Sequence, residues 1–423
     1  MKSKTNCRVL MLLENNPYPN DLRVRQEANS LASNGFQVTV IAPGTRSQSY
    51  YENNHGVHVY RYPSPPAGVG CLSYLVEYSW ALFFSFFLTI WVFFRRGFDV
   101  IHAHNPPDLF VLIGIFFRIA GKKFIFDHHD LSPEMYYARF DNQGNRIVYQ
   151  ALKFFEILSC RMAHQIIATN ESYKKIEIER AGIAASKVSI VRNGPDISKM
   201  KPVSADPQIR AKASIMLGYL GVIGQQDGVD YLIRALDYIV KELGITDIHA
   251  VIMGSGSAIS GLKKLTSELE LEQYISFTGS IPYNELPRYV SACDICIDPD
   301  PHNPYNDRST MVKMMDYMAM AKPIVAFDLT EHRASAGQAA LYAIRNDVHD
   351  FANTIVQLIN DPELQNTMGQ IGRLRMIEKF AWHHQEDQLL KAYSKIGFDA
   401  CPKSAPTSPT LPQSASTTEL VSK

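Results

Sequence analysis

Short apolar runs alternate with helical patterns along this chain, and the alternation occurs twice over. Residues 8–13 are an apolar run of strand length, closed by the polar and Pro-rich stretch 14–20. Residues 21–34 carry Leu22, Val24, Ala28, Leu31 and Ala32 at helical spacing, with Gly35 as a stop. Residues 37–42 are apolar again. Strand, helix and strand with short connections make the βαβ unit of a parallel, doubly wound sheet. Runs at 99–104, 123–127, 165–169 and 188–191 continue the series, each bounded by polar or Pro-rich loops, as buried parallel strands are. After Asn193-Gly194-Pro195 the register restarts. Strands are expected at 215–220, 248–253, 274–278, 295–298 and 324–327, with a helix over 228–243. The fold class is therefore α/β, two doubly wound halves facing a cleft. A ligand is expected in that cleft, at the carboxyl ends of the strands.

The expected divisions are 1–194, 195–375, a C-terminal helix over 376–398 that packs back on the first half, and a disordered tail over 399–423. The tail is rich in Ser, Thr and Pro and has no apolar periodicity. With 423 residues, 46% hydrophobic, the chain can bury sizeable cores, which excludes a wholly disordered or fibrous protein. Lys+Arg and Asp+Glu both number 42, so the formal net charge is zero and a dedicated nucleic-acid binder is not expected. Of six cysteines only Cys293 and Cys296 are close, and they fall in a strand-like run with no second pair at ligand spacing. No metal is expected. The apolar run at 9–13 is too short for a signal peptide, and a cytoplasmic location follows as the expectation.

Residues 80–94 stand apart: fifteen uncharged residues dominated by Phe, Leu, Ile and Trp, followed by Arg95 and Arg96. A spanning helix needs about 20 apolar residues, and a span here would split the first βαβ domain. A helix lying in a membrane surface, a buried helix of the first domain and, last, a true span are the readings.

The chemistry concentrates in 306–325. Ser309 or Thr310 is placed to cap a helix running to about Met320, whose first amides would seat a diphosphate. Arg308 and Lys313 would add positive charge. Asp316, three residues beyond Lys313, lies near the same face and could accept both hydroxyls of a ribose, or merely pair with the lysine. Gly254, in Gly254-Ser255-Gly256 after a strand, is a candidate phosphate or sugar-edge turn, with an ordinary turn as the alternative. His102 and His104 share one face of their strand. His104, just before Asn105-Pro106-Pro107, is the candidate site residue, and His102 reads as a packed core histidine.

The phrase Asp316-Tyr317-Met318-Ala319-Met320-Ala321-Lys322-Pro323-Ile324-Val325 resembles the C-terminal-domain signature of family 4 glycosyltransferases, retaining enzymes of the GT-B architecture. Residues 100–105, the hinge-like 191–196, 277–282 and 292–294 resemble further phrases of that family, in its order. The resemblance implies two Rossmann-like domains, a nucleotide-diphosphate sugar as donor, a saccharide or lipid-linked acceptor, and no cofactor. It places His129, in Phe126-Asp127-His128-His129-Asp130, beside the transferred sugar, where a histidine can bond a hydroxyl or carry a proton.

There are departures too. Asp316 replaces the second Glu of the family's Glu-x7-Glu motif, and Arg308 replaces the first. Arg308 is therefore expected to bind diphosphate, with Asp307 a candidate to reach the sugar. Val222 and Asp227 stand where the family carries a phosphate-binding Arg and Lys. The N-terminal loop lacks the family's Gly-Gly and offers Asn20, Asp21 and Leu22, with Arg23 and Arg25 beyond. An arginine there binds phosphate, or is simply solvated on a helix face. The expected activity is sugar transfer to an acceptor hydroxyl with retention, in cell-surface polysaccharide or glycolipid synthesis. An acceptor presented at the inner face of the cell membrane, through 80–94, is part of that expectation. A nucleotide-sugar epimerase and a non-catalytic nucleotide-sugar-binding partner are the rivals.

Overall fold

The computed structural model describes residues 7–45, 47–64, 71–140 and 144–401, with 71–75 as backbone only. The first half holds β1 (Arg8–Leu12), β2 (Gln37–Gly44), β3 (Tyr51–Asn54), β4 (Val57–Pro63), β5 (Val100–His104), β6 (Lys123–His128), β7 (Gln165–Ala168) and β8 (Val188–Ile190). They form one sheet in the order β3-β4-β2-β1-β5-β6-β7-β8, parallel except for the β3–β4 pair. The second half holds β9 (Ile215–Leu220), β10 (Ile248–Met253), β11 (Ile275–Gly279), β12 (Ile295–Asp298), β13 (Ile324–Phe327) and β14 (Ala340–Ala343). These form a six-stranded parallel sheet in the order β11-β10-β9-β12-β13-β14. The doubly wound α/β expectation is met twice. Three strands were not expected: β3 and β14 are four residues each and partly exposed, and β4 follows a hairpin that a parallel pattern does not announce.

Each sheet is apolar on both faces because helices cover both. Helix Leu22–Ser33, started by the Asp21 carboxylate on the Val24 amide, buries Val24, Ala28 and Leu31 against Val9, Val38, Val100 and Ile125. Helix Trp382–Ser394 adds Leu389, Ala392 and Tyr393 to that same cluster, so the end of the described chain lies on the first sheet. The described chain thus crosses between the halves twice, at 191–196 and again at 380–382. The crossings touch: a Cβ on Gly194 would come within 2.0 Å of the Phe380 carbonyl oxygen. Residues 399–401 are described, and the Cys401 amide donates to Asn34 O at 3.0 Å. The rest of the expected tail lies outside the described residues.

The apolar helix is longer than expected, Cys71–Arg95, and is neither buried throughout nor a split in the domain. Ala81, Ser85, Thr89 and Val92 are fully buried along one face. Phe83, Phe87, Trp91 and Phe94 repeat the same spacing on the other and are more than half exposed, Phe94 at 81%. Strands β4 and β5, before and after it, belong to one sheet. Cys293 and Cys296 are buried and free, packed under the second sheet.

Candidate active site at the strand ends

In each sheet the winding reverses beside a central strand: β2 and β5 flank β1, and β10 and β12 flank β9. Loops leave in opposite directions there and open a crevice at the carboxyl ends. Four stretches converge on the two crevices: Glu14 after β1, Asn105-Pro106-Pro107 after β5, the Gly221 turn after β9, and Asp298-Pro299-Asp300 at the end of β12.

On the first sheet, register sets His104 directly beside Asp127 on the neighbouring strand. His102 and His104 stack with ring centroids 4.4 Å apart, on the face that helix Leu22–Ser33 covers. Asp127 is the hub. Arg23 donates to it through Nε at 2.8 Å and Nη2 at 2.7 Å, and His104 Nδ1 lies 2.9 Å away. Burial alone would raise Asp127, yet Arg23 and the histidines hold its carboxyl well below the usual range. Two expectations are corrected here. Arg23 also donates to Val191 O and Asn193 Oδ1, and its Nη2 faces Glu27 at 3.2 Å, so this buried guanidinium is turned into the first half and away from a diphosphate. His104 is 1% exposed and belongs to the buried network rather than to the cleft surface. His102 is a core histidine, its Nδ1 2.9 Å from the Tyr393 hydroxyl.

His129 is the member of this group nearest solvent, its side chain 13% exposed and Nδ1 3.7 Å from Asp127 Oδ1. Asn105 Oδ1 fixes the turn beneath it, accepting from the amides of His129 at 2.8 Å and Asp130 at 3.1 Å. Asn20 is exposed on the N-terminal loop, and Arg25 reaches no further than Pro19 O at 3.3 Å.

In the second half, the segment 305–310 seats on the first. Tyr305 donates to Asp130 Oδ1 at 3.0 Å, the Asn170 amide to Arg308 O at 2.8 Å and to Thr310 Oγ1 at 3.0 Å, and Ser309 Oγ lies 2.9 Å from the Tyr173 hydroxyl. This corrects the expected cap. The helix is Val312–Ala319 with Met311 at its start and no side-chain cap, because the Ser309 and Thr310 hydroxyls bridge the two halves instead. Lys313 is corrected as well: its amine lies between Asp298 Oδ1 at 3.2 Å and Asp300 Oδ1 at 2.5 Å, only 7% exposed. It pairs with those two, not with Asp316. Asp307 binds the Thr330 amide at 3.0 Å and the Thr330 hydroxyl, so both its oxygens are engaged within the second half and away from a sugar role. Gly254 is a packing position: at φ +150° it lies so close to Gly221 that a Cβ would come 1.8 Å from the Gly221 carbonyl oxygen.

Two groups remain uncommitted. Arg308 is 40% exposed, its nearest ionic contact Glu134 at 3.8 Å. Asp316 is buried with its Oδ1 unpartnered, and burial pushes its carboxyl up to about 7. Near it, the Tyr283 hydroxyl is also unpartnered, feeling Asp316 on one side and Arg25 of the first half on another. Arg25, Asp196, Tyr283 and Trp382 line an open groove of about 460 Å³ between the halves.

Some site groups were missed from the sequence. Glu14 is 4% exposed, and burial, then the charge of Glu77 on the apolar helix, push it up to about 8. Glu27 is fully buried, and burial followed by Asp127 raises it well above the usual range. The available signal for Glu27 was its position inside the stripe of Val24, Ala28 and Leu31, where a polar-face residue does not belong.

Residues 22–199 match the family described as Glycosyltransferase Family 4, and residues 214–361 the one described as Glycosyl transferases group 1. An uncharacterized glycosyltransferase of Methanocaldococcus jannaschii is 21% identical over 382 residues, covering 86% of this chain and 91% of that protein. The UDP-Gal:alpha-D-GlcNAc-diphosphoundecaprenol alpha-1,3-galactosyltransferase of Escherichia coli is 20% identical over 308 residues, 71% of this chain and 76% of its own length. Among solved structures, the sucrose-phosphate synthase of Thermosynechococcus elongatus superposes with a TM-score of 0.77 at 17% identity, over 93% of this chain and 99% of that one. HepE of Anabaena, in complex with UDP and glucose, superposes at 0.69 and 17% identity, over 92% and 99%. Sequence ties each half to glycosyltransferases and the fold ties the pair of sheets to theirs, so the chain is a glycosyltransferase of the GT-B architecture.

Proposed function

We propose that the chain transfers a sugar from a nucleotide-diphosphate donor to an acceptor hydroxyl, with retention at the anomeric carbon. The observation that carries the donor site is Asp316, a buried carboxylate with an oxygen left without a partner. Such a group costs free energy unless something accepts its charge or donates to it, and a ribose diol supplies two donors. The diphosphate would meet the first amides of helix Val312–Ala319 and the guanidinium of Arg308. Both would then stand where negative charge builds as the leaving group departs. His129 would face the sugar from the other half. The complex of HepE with UDP and glucose supports a nucleotide and a sugar as ligands, and the family resemblance supports retention. This chemistry needs no cofactor beyond the donor.

The aromatic face of helix Cys71–Arg95, with Arg95 exposed at its end, supports docking on the inner face of the cell membrane and a lipid-linked acceptor in polysaccharide or glycolipid synthesis. The Escherichia coli relative, whose name specifies a diphosphoundecaprenol acceptor, supports the same reading.

The test is calorimetric titration of nucleoside diphosphates and their sugars into purified protein, with Asp316→Ala alongside. Binding of one nucleotide series by wild type, weakened at least tenfold in the variant, is the expected result. Equal affinity in both proteins sinks the assignment of Asp316, and no binding of any nucleotide sinks the donor reading.

A further inference from the structure

Beneath the cleft, on the face of the first sheet covered by helix Leu22–Ser33, four side chains converge, with the Arg23 guanidinium along one side against both carboxylates. Glu27, His102, His104 and Asp127 each offer an atom within 4.8 Å of the others, and all four residues are at most 1% exposed. His102 Nε2 lies 3.6 Å from Glu27 Oε2 and 3.8 Å from Asp127 Oδ2, and His104 Nε2 lies 4.0 Å from Glu27 Oε2. Both Nε2 atoms, both Glu27 oxygens and His104 Nδ1 are buried without a hydrogen-bond partner. These gaps are too wide for a shared proton. They approach the ~3.4 Å separation between ligands on a tetrahedral zinc ion, whose bonds to His and carboxylate are about 2.0–2.2 Å.

The surroundings are those of a held ligand set. The Tyr393 hydroxyl, 2.9 Å from Nδ1 of His102, engages that ring's other nitrogen, and Nδ1 of His104 lies 2.9 Å from Asp127 Oδ2 without a well-aligned hydrogen bond. That leaves each Nε2 facing the gap. Arg23 braces both carboxylates, at 2.7 Å from Asp127 and 3.2 Å from Glu27. Outer contacts that fix ring orientation and carboxylate position are what metal ligands require. Arg23 brings one positive charge, so with both carboxylates ionised the network would be one short, a deficit that either a proton on Glu27 or a bound cation fills.

We propose that Glu27, His102, His104 and Asp127 bind one divalent transition-metal ion of the zinc class, a structural site that ties helix Leu22–Ser33 to β5 and β6. The site is distinct from the donor chemistry and does not rest on that reading. The second sheet holds a similar group, Asp298, Asp300 and His332, but it offers a single histidine and the Lys313 amine bonds both of its carboxylates, whereas Glu27 has no hydrogen bond to either oxygen.

The experiment is elemental analysis of the full chain purified without chelator, followed by titration of chelator-treated protein with Co2+. About one equivalent of bound zinc, visible d–d absorption on adding Co2+, and a thermal midpoint that rises with added zinc are expected. His104→Gln should weaken Co2+ binding at least tenfold, while His332→Gln leaves it unchanged. Where His104→Gln fails to fold, the absorption spectrum of wild type carries the test. Metal-free wild type that gives no absorption and no thermal shift overturns the proposal, leaving a proton on Glu27 as the missing charge. Metal lost in His332→Gln but kept in His104→Gln overturns it equally.

Discussion

Both halves bury ionisable side chains at the switch point of their sheet, but they compensate the charge differently. In the first, one arginine spans Asp127 and Glu27, ties itself to the hinge through Val191 and Asn193, and still leaves Glu27 without a hydrogen bond. In the second, a single amine bonds one oxygen each of Asp298 and Asp300, and a further carboxylate, Asp316 on the helix beside the cleft, has an unpartnered oxygen and no cation against it. The first cluster is a buried frame under His129. The second keeps its loose end where a ligand can reach it. The difference shows that burial of charge alone does not mark a binding site; the position of the unpaired group does.

Removing the cations should separate the two most strongly. Arg23→Met leaves two fully buried carboxylates, the Val191 carbonyl and the Asn193 side-chain oxygen unmet, and is expected to cost about 3–5 kcal/mol in urea unfolding. Lys313→Met should cost less, about 1–3 kcal/mol, because Asp300, already raised well above the usual range by burial and then by Asp298, takes a proton in its place. Equal losses would erase the distinction drawn between a frame and a pair.

Asp316 sharpens it through pH. Its carboxyl holds a proton in the folded chain up to about pH 7, and in the unfolded chain only below its ordinary 3.8. Between those values the folded state binds more protons, so this group's contribution to stability falls as pH rises and levels off above the window. Relative to Asp316→Asn, wild type should lose about 1 kcal/mol between pH 6 and pH 7 in denaturant melts. Nucleotide affinity should move the other way, strengthening from pH 6 to pH 8 in wild type and staying flat in the variant. The smallest stability effect belongs to Arg308→Ala, within about 0.5 kcal/mol for a half-exposed, loosely paired side chain. Donor affinity should nonetheless fall, and by more than turnover of bound donor slows. Unchanged affinity would remove Arg308 from the site.

Much of the fold was legible because a buried parallel strand announces itself as a short apolar run, and eleven such runs recur as strands. The hairpin strand Tyr51–Asn54 has the sequence Tyr-Glu-Asn-Asn, polar and partly exposed, and carries no such signal. The site was legible in outline only. Asp316 and His129 sit in motifs read along the chain. The partner that disarms Arg23, by contrast, lies 104 residues away, and register rather than local sequence brings it there. The Ser309 and Thr310 hydroxyls look like a local cap because Tyr173 and Asn170, which claim them, belong to the other half.

The two crossings that press together at Gly194 and Phe380 have a mechanical consequence. Connections that run side by side through one point act as a single pivot. The lobes can swing about it with little strain, whereas sliding past each other would stretch both connections at once. Donor entry and nucleotide exit would follow that one rotation. A methyl group at residue 194, forced against the Phe380 carbonyl, would set the pivot ajar and change how far the jaws close without touching any residue that meets the sugar.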